Sequence, residues 1–167
     1  QRLAIAYRLI GHEARTQTIR QATSLSGDRI RKLYRDYLKG QPAQPVRRRR
    51  GKSPRQMSFF RRSPAHELQA AALAALMQRC GFIGRPQVLF RAPLDEVNRF
   101  CDLYEAFCSL CPSTVITFEH AWHLWHVLAR RDEFVVTRCP DCRGTWIRDT
   151  LDLLPDNCAA CRGDPPD

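Results

Sequence analysis

Long apolar runs are missing from this chain of 167 residues. The longest largely apolar stretch, Leu68 to Met77, reaches about half of the roughly 20 residues that a bilayer-spanning helix needs. An integral membrane protein is thereby excluded, and no membrane partner is expected. Glycine is scarce too: the eight present form no phosphate-binding loop, no dinucleotide fingerprint and no G-x-S-x-G nucleophile turn. No pair of carboxylates stands out as an acid–base couple, so the chain is not expected to be an enzyme. Acid is rare at one end. Residues 1 to 63 set only Glu13, Asp28 and Asp36 against 17 Lys+Arg, a net charge of +14, while residues 64 to 167 carry a net −4.

What is present narrows the classes further. A hydrophobic content of 44% excludes a wholly disordered chain and leaves room for one medium domain or two small ones. A one-sided positive field suits a surface that binds a polyanion, because each neutralised phosphate releases condensed counterions. The bland alternative is a solvated basic tail.

Four segments follow from composition and periodicity. Residues 1–39 read as helical, with Leu3, Ala6, Tyr7 and Ile10, then Ile19 and Ala22, then Ile30, Leu33, Tyr34, Tyr37 and Leu38 recurring at helix spacing. Residues 40–64 form a basic linker with Pro42, Pro45, Pro54 and Pro64 and the run Arg47 to Arg50, which excludes a continuous helix. Residues 65–133 predict three helices, Ala65 to Cys80, Pro93 to Leu110 and Thr117 to Arg131, packed as a bundle. In the first of these Leu68, Ala71, Ala72 and Leu76 form the expected inner face. Residues 134–167 change character: Phe134 to Val136 and Thr145 to Ile147 favour strands, each beside a cysteine pair, and 163–167 form a frayed tail.

Within the first segment, Ile19 to Leu33 has the spacing of a helix-turn-helix. Ile19 and Ala22 face inward, Leu25 fills the angle, and Ile30 and Leu33 anchor the second helix, with Ser26 as its N-cap and Asp28 in its first turn. Burying Ile30, Leu33, Tyr34 and Tyr37 turns Arg29, Arg31, Lys32 and Arg35 outward. That face fits a major groove, where arginine pairs with guanine. Arg47, Arg48, Arg49 and Arg50 read as a flexible arm that touches phosphates without reading bases. The alternatives are an ordinary bundle corner and a plain solvated linker.

Cysteines carry the strongest motif. Cys139-Pro140-Asp141-Cys142 and Cys158-Ala159-Ala160-Cys161 are two C-x-x-C pairs separated by 15 residues, each followed by Arg-Gly. This spacing suits one structural Zn²⁺ on Cys139, Cys142, Cys158 and Cys161, with the glycine allowing the left-handed turn of a metal knuckle. Four thiolates close the coordination sphere, so no water position remains for hydrolysis, and the ion supplies folding free energy instead. Two disulfides or a redox dithiol are the alternatives. Disulfides need an oxidising compartment, whereas Cys80 and Cys101 look unpaired and point to a reducing cytoplasm. Cys108 and Cys111 are assigned to packing, as are His120, His123 and His126, which follow one another at steps of three without an H-E-x-x-H.

Taken in order, these pieces resemble the FlhC family of flagellar transcriptional activator subunits. The resemblance rests on Leu25-Ser26 through Lys32-Leu33-Tyr34, on Gly51-x-x-Pro54 followed by Phe59-Phe60, on the Tyr104 helix ending in Cys111-Pro112, on Ala121-Trp122 and on the four paired cysteines, and it runs from about Leu3 to Cys161. It implies a cytoplasmic activator that joins an FlhD-like companion in a heterohexamer-type assembly, binds double-stranded DNA upstream of flagellar promoters and assists RNA polymerase. It also implies zinc on Cys139, Cys142, Cys158 and Cys161. The expected fold class is mainly α, an N-terminal helix-turn-helix-like region and a helical bundle, with a small C-terminal four-cysteine, zinc-ribbon-like segment containing short strands. A zinc-ribbon adaptor that binds protein partners and leaves DNA to others is the competing function.

Overall fold

A computed structural model describes residues 1–40, 46–49, 51, 54, 56–84, 92–131, 133–152 and 157–163. Among them the chain is mainly helical, with one two-stranded antiparallel sheet and a four-cysteine cluster near its C-terminal end. No described helix is long and apolar enough to cross a membrane. Contacts divide the chain into two compact units, Gln1–Pro54 with Val88–Glu105, and Arg55–Gln87 with Ala106–Asp167. Of the expected linker and tail, Pro42, Pro45, Arg50 and residues 164–167 lie outside the described residues.

The first unit holds α1 (Arg2–Gly11), α2 (Thr16–Thr23), α3 (Gly27–Gly40) and most of α5 (Leu94–Leu110). Ile5, Leu9 and Ile10 of α1, Ile19 and Ala22 of α2 and Ile30, Leu33 and Tyr34 of α3 are buried. Tyr34 also donates its hydroxyl to the Ala14 carbonyl, which satisfies its one polar atom inside the core. The inward face of α1 matches the expected one in part: Ala6 and Ile10 are buried, joined by Ile5 and Leu9, while Leu3 and Tyr7 are exposed. Six of its ten residues are apolar (Leu3, Ala4, Ile5, Ala6, Leu9 and Ile10) besides Tyr7, more than one face can cover, so periodicity alone cannot choose the face. Tyr37, expected in the core, is half-buried and stacks on Tyr7 with ring centres 6.2 Å apart.

A polar clasp joins α1 to α5 within this unit. The Arg8 guanidinium donates to Glu105 at 2.8 and 3.0 Å, to Asn98 and to Asp102, and His12 Nε2 meets Glu105 Oε1 at 2.9 Å. Arg8 holds the Glu105 carboxyl below its ordinary value of 4.5, and burial holds His12 below 6.5. Both shifts act in one direction. Glu105 stabilises the fold above pH 4.5 and loses that effect as pH falls through its folded value; His12 is neutral in the fold, so protonation below pH 6.5 favours the unfolded chain. The thermal midpoint of the protein is therefore expected to fall below pH 6.5, where the unfolded chain takes up a proton on His12, and again below pH 4.5, where Glu105→Gln should reduce the second fall. A midpoint that rises on acidification would contradict the clasp.

The second unit contains a short 3-10 helix (Met57–Arg61), α4 (Pro64–Arg79), α6 (Phe118–Arg130), β1 (Phe134–Arg138), β2 (Thr145–Asp149) and the single turn α7 (Ala159–Arg162). Proline at the first position of α4 costs no hydrogen bond, because that N–H has no partner in any helix. Thr117 caps α6 by accepting the His120 N–H, while the His120 ring accepts from the Thr117 N–H. Phe118, Trp122, Trp125 and Leu128, which recur three or four residues apart, are buried, and the Trp125 indole donates to the Phe82 carbonyl at 3.1 Å.

The buried face of α4 departs from expectation. Ala70, Ala71, Leu73, Ala74 and Met77 are buried, whereas Leu68 is 52% exposed and Ala72 faces out. Apolar residues surround this helix, so tertiary packing, not the pattern, selects its inner side. That side lies along β2. The two strands pair from Phe134 opposite Asp149 to Arg138 opposite Thr145, and the Thr150 N–H closes the open end of the hairpin on the Glu133 carbonyl.

Candidate metal centre and basic face

The hairpin turn delivers the first cysteine pair. Cys139 follows β1 directly, its N–H donates to the Gly144 carbonyl at 2.9 Å, and its own carbonyl accepts the Arg143 N–H at 2.9 Å. This pinches the chain so that Cys139 and Cys142 share one side. The left-handed residue of the turn is Arg143, at φ 60°, and not the glycine expected there. Gly144 serves by being small: a Cβ would stand 3.2 Å from Cys142 Sγ, and its N–H donates to that sulfur at 3.4 Å. At the second pair the expectation matches, since Gly163 takes φ 74° at the end of α7.

Cys158 is the N-cap of α7 and Cys161 lies within it, and the turn is closed by the Cys161 N–H on the Cys158 carbonyl at 3.0 Å. The four sulfurs lie within 4.8 Å of one another. Cys142 Sγ and Cys158 Sγ are 3.7 Å apart, against about 3.8 Å for the edge of a tetrahedron with metal–sulfur bonds of about 2.3 Å. Cys139 and Cys158 are buried, Cys161 is half-buried and Cys142 is exposed, so the group opens to solvent on one side only. Among the described residues it is the one group of three or more His, Cys, Asp or Glu side chains able to hold a metal ion.

Hydrogen bonds prepare these sulfurs for a cation. Backbone N–H groups of Cys142 and Cys158 pull the Cys139 thiol down to about 6, the bond from Cys158 measuring 3.4 Å. Cys161 is pushed up to about 12 by its hydrogen bonds to Cys142 and the other two sulfurs. Four sulfur donors within 4.8 Å of one another suit a closed, structural metal site.

Two contacts fix the knuckles to the unit. Arg162 Nη2 pairs with Glu67 Oε2 of α4 at 2.8 Å, and the same guanidinium lies 5.9 Å from the Trp146 ring centre. Cys139, Cys158, Trp146 and Ala71 form one small buried cluster, with Cys161 packed against it. Beside it an apolar cavity of about 160 Å³ is bordered by Phe60, Leu68, Trp146 and Ala160, which is where the outward Leu68 lies. Sequence spacing found the sulfurs, but not Glu67, whose partner is 95 residues away.

The other cysteines and the histidines serve elsewhere. Cys101 is buried in the first unit, and burial pushes its thiol up to about 12. His120 is stacked on Phe59 with ring centres 3.7 Å apart besides capping α6, and His126 Nδ1 bonds the Trp122 carbonyl at 2.8 Å. Cys108 and Cys111 are half-buried and lie outside the cluster.

The basic residues of α3 all point to solvent. Arg29, Arg31, Lys32 and Arg35 are exposed, opposite the buried Ile30, Leu33 and Tyr34. Ser24, in a left-handed conformation at φ 59°, turns the chain between α2 and α3, and the buried Thr23 hydroxyl steadies it by accepting the Leu25 N–H. Ser26 accepts the Arg29 N–H at 3.3 Å and so caps α3, and Asp28 pairs with Arg31. Arg20, beside the turn, is exposed and crowds neither helix.

The arginine run does not hang free over its described residues. The Arg47 N–H donates to Glu13 Oε1 at 3.0 Å, Arg49 pairs with Glu13 Oε2 at 2.9 Å, and the Arg48 guanidinium lies 5.3 Å from the Tyr34 ring centre. Arg50 is outside the described residues. No protein-family profile matches this chain, and no curated protein matches it significantly.

Proposed function

We propose that this chain is a DNA-binding subunit of a transcriptional activator of the FlhC type, with a structural zinc ion on Cys139, Cys142, Cys158 and Cys161. The observation that carries the reading is the outward basic face of α3, where Arg29, Arg31, Lys32 and Arg35 stand exposed on a helix whose other side is packed. In this reading α2 and α3 act as a helix-turn-helix, α3 enters the major groove of double-stranded DNA, and Arg47 to Arg50 contact phosphates. The zinc holds the hairpin and α7 against α4 and takes no part in chemistry. The exposed Leu3, Tyr7 and Leu38 of the first unit supply apolar surface for an FlhD-like companion, and the assembly engages RNA polymerase at flagellar promoters.

Nuclease footprinting of promoter DNA, with and without the companion subunit, tests this reading. Protection that depends on this chain and shrinks when the α3 arginines are replaced is the expected result. Assembly with the companion but no protection due to this chain would replace the reading with that of a zinc-ribbon adaptor.

A further inference from the structure

Arginines from two separate stretches line one open cleft in the first unit: Arg15, which precedes α2, and Arg47, Arg48 and Arg49. Gathering like charges in one place is unfavourable unless an anion lies among them. The anion nearest the run is Glu13, whose carboxylate takes both the Arg47 N–H and the Arg49 guanidinium. Of the guanidinium groups lining the cleft, that of Arg49 pairs with this carboxylate, and that of Arg48 lies over the Tyr34 ring. Glu13 is held in a left-handed conformation at φ 57°, and its pair with Arg49 is partly open to water, with 39% and 27% of the Arg49 and Glu13 side chains exposed. Such a pair is weak and replaceable. Arg48 is meanwhile held by the Tyr34 ring, which belongs to α3, and Arg15 is the N-cap residue of α2 without a side-chain capping bond.

We infer that this cleft takes a phosphate of the DNA backbone, and that Glu13 is the internal anion which the phosphate displaces from Arg49. The inference rests on the DNA-binding reading above and adds to it a residue, Arg15, that charge patterning along the chain did not single out. Guanidinium groups match phosphate oxygens in pairs, and the duplex brings condensed counterions whose release favours the exchange; a carboxylate brings none. Because Arg48 packs on α3 itself, a phosphate held here would set the register of that helix on the duplex.

Binding of the full chain, with its companion subunit, to a random-sequence DNA duplex over a range of salt concentrations tests the inference. Arg15→Gln with Arg48→Gln is expected to weaken binding about tenfold and to flatten the logarithmic salt slope by about 1 to 2, the value for one or two lost phosphate contacts. Glu13→Gln should tighten binding several-fold by removing the competitor. Circular dichroism confirms that each variant is folded. An unchanged affinity and slope in the arginine variant would overturn the cleft assignment while leaving the α3 face intact. Weakened binding in Glu13→Gln would overturn the displacement. Failure of the unsubstituted protein to bind any duplex would instead sink the DNA-binding reading itself.

Discussion

Replacing Cys158 with serine is expected to release the last part of the chain, from about residue 133 onward, to limited proteolysis, and a strong chelator should do the same to the unsubstituted protein. The reason is the small size of what otherwise holds that segment. Its buried side chains among the described residues are Phe134, Cys139, Trp146, Cys158 and Ala159, and two of these five are metal-ligand candidates. Structural zinc sites contribute about 10–16 kcal/mol in small domains, more than so few apolar contacts can replace. Serine keeps the size of the side chain but offers a hard, neutral oxygen in place of a soft thiolate. Helix α6, whose core of Trp125 and Leu124 is independent of the sulfurs, should keep its ellipticity. Elemental analysis should find one zinc per chain, released as acid protonates the thiolates. A folded, protease-resistant protein without metal would overturn the assignment.

The second large effect concerns α3. Arg31→Ala with Lys32→Ala should weaken promoter binding by about 1–3 kcal/mol for each side chain that reaches a base edge, and flatten the salt slope by about 1 for each that neutralises a phosphate. Helicity should be little altered, because both side chains are exposed and Arg31 gives up only a surface pair with Asp28. Band-shift titrations at several salt concentrations separate the two contributions. Equal affinity and equal slope in the variant and the parent would remove these residues from the interface.

How much of this was legible in the sequence depends on how local each feature is. Cys139 with Cys142, and Cys158 with Cys161, are three residues apart, and that spacing alone brings each pair to one side of a turn. The basic face of α3 was legible for the same reason, since Ile30, Leu33 and Tyr34 leave one orientation only. The faces of α1 and α4 were not, because apolar residues lie on more than one side of each. Docking of the arginine run also escaped, as it depends on Glu13, 34 to 36 residues earlier in the chain. Arg143 in the left-handed position shows the limit of residue preference: the hydrogen bonds between Cys139 and Gly144 fix the turn first, and the side chain accepts the cost.

The ion pair between Glu67 and Arg162 has a consequence for the order in which the protein is made. Helix α4 leaves the ribosome long before its cover does, since β2 follows it and the second pair of sulfurs comes later still. Until Cys158 and Cys161 have emerged, Ala71 lacks the cluster that buries it, and the apolar side of α4 around it is only partly covered. A chain cut short before those cysteines would present that surface to chaperones and proteases indefinitely. In the zinc reading, capture of the ion would double as a test that synthesis has run through residue 161.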